Sequence, residues 1–191
     1  VIGSYDDRPF DTSFISQYKN LFHHFVHQNA KSDASTFWTA CGAIRRQIFF
    51  KYDGFDTNYD RPAIEDIEFG FRLKANNHKI LLQKDIQIKH LKVWTLRRLI
   101  TSDLFDRAVP WTVVMLRDNH FPKDLNLQLS QRVSVFLVYL TICLAGVSIL
   151  VSSTSVCLRS LPLLLLAVIV MLNHRFYRFF VQKRGVFFAL K

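Results

Sequence analysis

Glu65, Asp66 and Glu68 sit almost side by side at the head of an apolar segment, Ile64-Glu65-Asp66-Ile67-Glu68-Phe69-Gly70-Phe71-Arg72-Leu73. A carboxylate held at a helix start can take the proton from an attacking hydroxyl, which is general base catalysis. Pro62 pre-sets the backbone for a helix that begins at Ala63 or Ile64. Acids in its first turn are favoured by the partial positive charge of the unpaired amides there. Ile64, Ile67, Phe71 and Ala75 recur at helical spacing, which predicts one buried face and leaves Glu65, Glu68 and Arg72 toward a cleft or water. Asn76-Asn77 ends the helix. The same acids can also serve only to cap and solubilise it, so the rest of the chain must decide between the two roles.

The elements around this helix divide the chain. Half of the 191 residues are hydrophobic, yet the formal charge is +10, from 25 Lys and Arg against 15 Asp and Glu. The last third is too apolar for a water-soluble core, so a soluble portion is expected to end near Arg132. Val133 to Val151 carries no charge and has about the length needed to cross roughly 30 Å of hydrocarbon. Val156 to Leu172 reaches membrane length if Arg159 snorkels, after the polar link Ser152-Ser153-Thr154-Ser155. The expected domains are 1–131 and a membrane region, 132–191, with helices at about 133–151 and 156–172. Arg132 precedes the first helix and His174, Arg175, Arg178, Lys183 and Arg184 follow the second. This asymmetry predicts a multi-pass membrane protein with both outer flanks, and the domain before Arg132, in the cytoplasm. A buried helical hairpin in a soluble protein is the alternative, and the absence of a polar face on the first run disfavours it. A transporter or channel part is disfavoured because two helices form no pore of their own.

The basic residues gather at Arg45-Arg46, from Lys89 to Arg98, and from His174 to Arg184. Anionic lipid explains the last cluster, which follows an apolar run directly, and no nucleic acid partner is expected. Cys41, Cys143 and Cys157 are widely spaced, with no Cys-x-x-Cys pair, which indicates packing in a reducing compartment and neither a zinc knuckle nor a disulfide framework. There is no initiator Met and no signal-peptide pattern, and an apolar run follows Gln182-Lys183-Arg184-Gly185, so the sequence reads as a fragment cut at both ends.

Phe14 to Gln28 predicts a helix with an apolar stripe of Phe14, Tyr18, Leu21, Phe22 and Phe25. His23 and His27 share its face, but His24 stands where a zinc-binding His-Glu-x-x-His motif needs an acid, so packed or surface histidines are expected. Phe37 to Ile44 suggests a buried strand, Gly54-Phe55-Asp56 a turn, and Ile80 to Leu82 with Ile86 and Ile88 further strands. Strands separated by helices predict an α/β layer architecture.

Taken in order, Gly3-Ser4-Tyr5-Asp6, Ala40-Cys41-Gly42-Ala43-Ile44-Arg45-Arg46, Gly54-Phe55-Asp56, Glu65-Asp66 with Phe69-Gly70-Phe71-Arg72-Leu73, His90, Trp94 and the hydrophobic hairpin form a set. This set resembles the C-terminal half of the catalytic domain of family 2 glycosyltransferases in their membrane-bound branch. The resemblance covers essentially the whole chain. It implies a partial GT-A-like nucleotide-diphospho-sugar transferase domain followed by a transmembrane helical hairpin.

The resemblance also implies roles. Asp66 would be the catalytic base of an inverting transfer from a nucleotide-diphospho-sugar donor to a lipid-linked or cell-envelope glycan acceptor. Glu65 would orient the acceptor or a loop, and Glu68 reads as structural. His90 would ligate a divalent metal, Mg or Mn, or touch the diphosphate. Lys92, Arg97, Arg98 and Arg107 are further cations able to neutralise the leaving group. Arg97 and Arg98 lie where processive relatives carry Gln-x-x-Arg-Trp, whereas this sequence has Trp94-Thr95-Leu96-Arg97-Arg98, which speaks against processive synthesis. Gly42 and Ala43 would let the acceptor approach the backbone. Trp38, Trp94 and Trp111 are able to stack on sugar faces, and Trp94 is singled out. The family binds nucleotide and metal through an upstream Asp-x-Asp, which Asp6-Asp7 does not replace, so this piece alone is expected to transfer no sugar. The contrasting reading is a non-catalytic membrane-anchored binding module or a degenerate remnant.

Overall fold

The computed structural model of the chain describes residues 1–59, 64–119, 129–151 and 156–191, the last stretch without the side chains of 156–158. Pro62 and the link Ser152–Ser155 lie outside the described residues, as does the Cys157 side chain. The chain forms two compact units, Val1–Leu125 and Asn126–Lys191.

The first unit is helix-rich around a small mixed sheet. Strand β1 (Ile2–Tyr5) runs parallel to the central strand β3 (Ile80–Ile88), and β2 (Asp33–Ala34) pairs antiparallel with the start of β3. Ile80 to Leu82 and Ile86 to Ile88 thus belong to one strand. Its register against β1 breaks: Ile2 pairs with Leu82 but Ser4 with Gln87, so β3 bulges between them. Helix α1 (Phe14–Asn29) forms as its periodicity predicts. Its buried face differs from the expected aromatic stripe, however, and consists of Ser16, Gln17, Lys19, Asn20, Leu21 and His24. Burial of these polar groups is compensated by bonds to segments after the strands. Ser16 Oγ accepts from the Trp94 amide at 2.7 Å, Asn20 Oδ1 accepts from Trp94 Nε1 at 3.2 Å, and His24 Nδ1 lies 2.8 Å from the Tyr5 carbonyl.

The strand expected from Phe37 to Ile44 is replaced by a short 3₁₀ turn, Thr39–Cys41, with one bridge from Gly42 to Ile2. Helix α2 (Arg46–Lys51) follows. The turn at Gly54 is present, with Asp53 and Gly54 at φ +55° and +59°, a region glycine enters without penalty.

Helix α3 (Glu65–Ala75) carries the acidic cluster and packs on two sides rather than one. Phe69 and Leu73 join Ile2, Ala30, Ala34, Phe37, Ile80 and Leu82 in the core beneath the sheet, while Ile64 and Phe71 pack with Val114. Ala75, expected on the buried face, is exposed, and Glu68, expected toward water, is 3% exposed. Glu68 tolerates burial because Arg72 Nε donates to it at 2.8 Å and Arg117 stands 3.5 Å away. The remaining arms of Arg72 donate to the carbonyls of Tyr52 and Gly54, which fastens the turn to α3.

Beyond β3, helix α4 (Leu96–Thr101) continues through a π-helical stretch, Ser102–Ala108, into α5 (Val109–Arg117). The wide turns fall just before Pro110, whose ring and missing amide hydrogen do not fit a regular α-helical ladder.

In the second unit, α6 (Leu129–Leu150) packs against α7 (Val156–Leu172), followed by α8 (His174–Arg184) and α9 (Val186–Leu190). Helix α6 starts at Leu129 instead of Val133. Among the described residues it is the one helix long and apolar enough to cross a membrane by itself. Arg159–Leu172 and His174–Arg184 reach that length only together, and they are bent by 67°. Asn173 at the bend donates to the Ile169 carbonyl at 2.8 Å and to Ser134 Oγ of α6 at 2.9 Å. The end of α7 therefore meets the start of α6, as in a hairpin.

Candidate functional site

Gly70 explains how Asp66 reaches its partners. A Cβ on Gly70 would stand 2.2 Å from the Phe37 amide nitrogen and 2.7 Å from Thr36, so α3 lies directly on the 36–37 backbone. Asp66, one helical turn earlier on the same face, is thereby brought to Thr39. The Thr39 amide donates to Asp66 Oδ2 at 3.2 Å and the Thr39 hydroxyl to the same oxygen at 3.0 Å. Burial raises the Asp66 pKa above the ordinary carboxyl value; the two Thr39 bonds oppose the shift, and neighbouring Glu65 adds to it.

Tyr5 ends β1 and is 7% exposed. Its ring meets Trp38 edge-on at 4.4 Å between centroids, His90 at 4.2 Å, His23 at 5.7 Å and His27 at 5.9 Å. Burial pushes the Tyr5 pKa up to about 12, with the Arg107 charge lowering it and the Asp66 charge raising it. Acid and guanidinium therefore act on the same hydroxyl from opposite signs. The histidines are held neutral: burial takes His27 and His90 down to about 4 and His23 well below its usual value, with Arg107 reinforcing the effect on His23 and His90.

Arg107 comes from the π-helical stretch and is steadied by Asp103, whose carboxylate stands 3.3 Å from it and 2.6 Å from buried Lys19 Nζ. Lys92, Lys19 and Arg107 lie 4.2, 5.7 and 5.9 Å from the Trp94 ring centroid. Trp94 is only 2% exposed, so its ring offers no open face to a sugar. The partly exposed Trp38, next to Thr39, is the tryptophan beside Asp66's partner.

Of the other residues expected in the site, Glu65 and His90 lie at it, while Gly42, Ala43, Arg97 and Arg98 sit on neighbouring elements. Gly42 and Ala43 border β1: Gly42 bridges Ile2, and Ala43 exchanges 2.9 Å bonds with Val1 through its amide and its carbonyl. Arg97 and Arg98 are exposed on α4, where Thr95 caps the Arg98 amide. Glu65 is half-buried beside Asp66. His90 joins the Tyr5 group, with Nδ1 bonded to the Asn20 side chain. Among the described residues no three His, Cys, Asp or Glu side chains gather as a metal set.

The site thus draws on residues given little weight in the sequence. Tyr5 was one letter of a motif, Thr39 stood just ahead of another, and Arg107 was one of several downstream cations. Their shared feature, a position at the end of β1 or opposite it, depends on sheet pairing and on the placement of the π-helical turn. Compared with family models, curated proteins and solved structures, the chain matches none of them.

Proposed function

We propose that this chain is the acceptor-side, base-supplying part of an inverting glycosyltransferase with a GT-A-like catalytic domain anchored at a membrane. The observation that carries this reading is Asp66 at the head of α3, its carboxylate held by Thr39, with the partly exposed Trp38 next in sequence and packed on Tyr5. In the proposed step an acceptor hydroxyl attacks the anomeric carbon of a nucleotide-diphospho-sugar, and its proton passes to Asp66. The bond from that carbon to the diphosphate breaks with its electron pair leaving on the diphosphate. A carboxylate with a raised pKa is the stronger base, and a general base of this kind supplies typically about 10² to 10⁴-fold. Arg107, steadied by Asp103, offsets charge developing on the leaving diphosphate, and Trp38 packs against the acceptor sugar. A divalent metal, Mg or Mn, belongs in this proposal to an upstream half, and no step through it is assigned to these residues.

The proposed location is a membrane crossed by α6, with α6 and α7 as the hairpin and the first unit on the cytoplasmic side. The acceptor is a lipid-linked or cell-envelope glycan. A second reading rests on the Thr39 bonds, which equally suit a carboxylate that only ties α3 to the preceding turn in a non-catalytic, membrane-anchored module.

Sugar transfer by membranes carrying the chain joined to its upstream half, wild type against Asp66→Asn, separates the two. A fall of at least about a hundredfold with nucleotide binding intact supports the base. Unchanged transfer from a panel of labelled nucleotide sugars would return Asp66 to the structural role.

A further inference from the structure

We propose that α8 lies in the plane of an anionic membrane surface as an interfacial helix, and does not complete a second span with α7. The inference rests on the membrane placement of α6 and is independent of glycosyl transfer. Three observations converge on it.

The first is the turn in the chain. The 67° bend between α7 and α8 is clasped by Asn173, which bonds back to Ile169 and across to Ser134 near the start of α6. Gln131 adds a bond to the Asn173 Oδ1 at 3.4 Å. A polar clasp at this level belongs where water and headgroups begin, and it directs α8 away from the α7 axis.

The second is the division of α8 into two faces. At 100° per residue, His174, Arg175, Arg178 and Gln182 fall together, Phe176, Phe180 and Tyr177 lie on the other side, and Phe179 and Val181 border the two faces. Lys183 and Arg184 project on the aromatic side but occupy the last turn, where the helix dipole favours cations and long side chains can reach back to the headgroups. Phe180 packs against Phe176 at 4.8 Å and stacks on Phe188 of α9 at 5.7 Å. The next element, α9, leaves Phe187 92% and Leu190 80% exposed. A helix inside hydrocarbon would have to carry four Lys and Arg side chains there, whereas an in-plane helix keeps them at the headgroups and sinks its aromatics.

The third is charge. From Asn126 to Lys191 the sequence contains no Asp or Glu. A helix solvated in water ordinarily mixes both signs, and a face of one sign matches an anionic leaflet.

The test is hydrogen exchange by mass spectrometry on the chain reconstituted in phosphatidylcholine vesicles with and without phosphatidylglycerol. The amides of His174 to Leu190 are expected to exchange at least about threefold more slowly when phosphatidylglycerol is present. The difference should vanish in about 1 M salt, where the screening length falls to about 3 Å, and in R175Q/R178Q/K183Q/R184Q. The salt arm uses wild-type protein, so it holds even if the variant folds poorly. Exchange of α8 as slow as α6 in both lipids and indifferent to salt would mean a spanning segment and overturn the proposal. Equally fast exchange in both lipids would overturn it too. Fast exchange throughout α6 would remove the membrane placement itself, a failure distinguishable from the other two.

Discussion

Thr39 gives both its backbone amide and its hydroxyl to a single carboxylate oxygen of Asp66, at 3.2 and 3.0 Å. These bonds favour the ionised form and work against the burial that raises the Asp66 pKa. If Asp66 is the base proposed above, Thr39→Ala is therefore expected to move the acid limb of the kcat/KM profile for sugar transfer to higher pH, because Asp66 would then protonate more readily. A pH–rate series measures this, and an unmoved limb would mean that Asp66 does not supply the titrating base.

The same pKa shift sets a stability signature. A carboxyl whose folded pKa is raised contributes stability fully below its ordinary value and loses that contribution as pH rises through the folded value. Asp66→Asn keeps an acceptor for Thr39 and removes the half-buried charge. The variant should match or exceed wild-type stability at neutral pH, with the advantage shrinking in acid. Thermal unfolding in detergent across pH measures it, and a variant that is less stable at neutral pH would refute the claim that the charge is strained.

Gly70→Ala probes the contact that aligns Asp66. The new methyl would meet backbone atoms of Phe37 and Thr36, which cannot swing aside as a side-chain end does. The expected loss is about 3 kcal/mol or more, read from the denaturant midpoint. A loss near zero would show that α3 can lift off the 36–37 segment cheaply.

Arg107 and the α4 arginines make opposite predictions. On the proposed transfer, Arg107→Gln should lower kcat by at least about tenfold, through the stabilisation of a leaving diphosphate assigned to it there. Arg97→Gln with Arg98→Gln, on an exposed face, should stay within about twofold. Steady-state kinetics of both decide, and the reverse ranking would move the proposed diphosphate site to α4.

His27 and His90 predict weakening in acid. Their folded pKa values of about 4 lie below the usual 6.5, so the stability they contribute is present above about 6.5 and is lost as pH falls toward 4. Discounted for partial exposure, the loss is on the order of 1 kcal/mol for each. His27→Gln should flatten the acid side of the melting-temperature profile, and an unchanged slope would place the titrating group elsewhere.

Periodicity was sufficient to find α1, α3 and the two apolar helices, because each is long and its pattern repeats. It failed on which face is buried. The inward face of α1 is polar because Ser16, Asn20 and His24 bond to strand-end and post-strand groups, and such partners lie about seventy residues away or across the sheet. The two-sided burial of α3 depends on Val114, which the sequence does not place near Phe71. Phe37 to Ile44 has the composition of a strand, yet Gly42 makes a single bridge and the rest turns, since α3 rather than another strand occupies the space. In the site, Asp66 was legible as an acid at a helix start. Trp94 was not legible as a covered ring, because its cations arrive from three separate segments.

The parallel pairing of β1 with β3 joins Tyr5 to Ile88 across most of the first unit. Contacts so distant along the chain raise the contact order, and loop closure must be paid before they return anything. Helices such as α1 and α3 can form early from neighbouring residues, whereas Tyr5 gains His90 and Arg107 only once this strand pair has closed. A chain trapped short of that step would keep nearly all of its helical signal while lacking the grouping around Tyr5. Circular dichroism would then overstate the competent fraction, and the shielding of Tyr5 would be the better clock for folding.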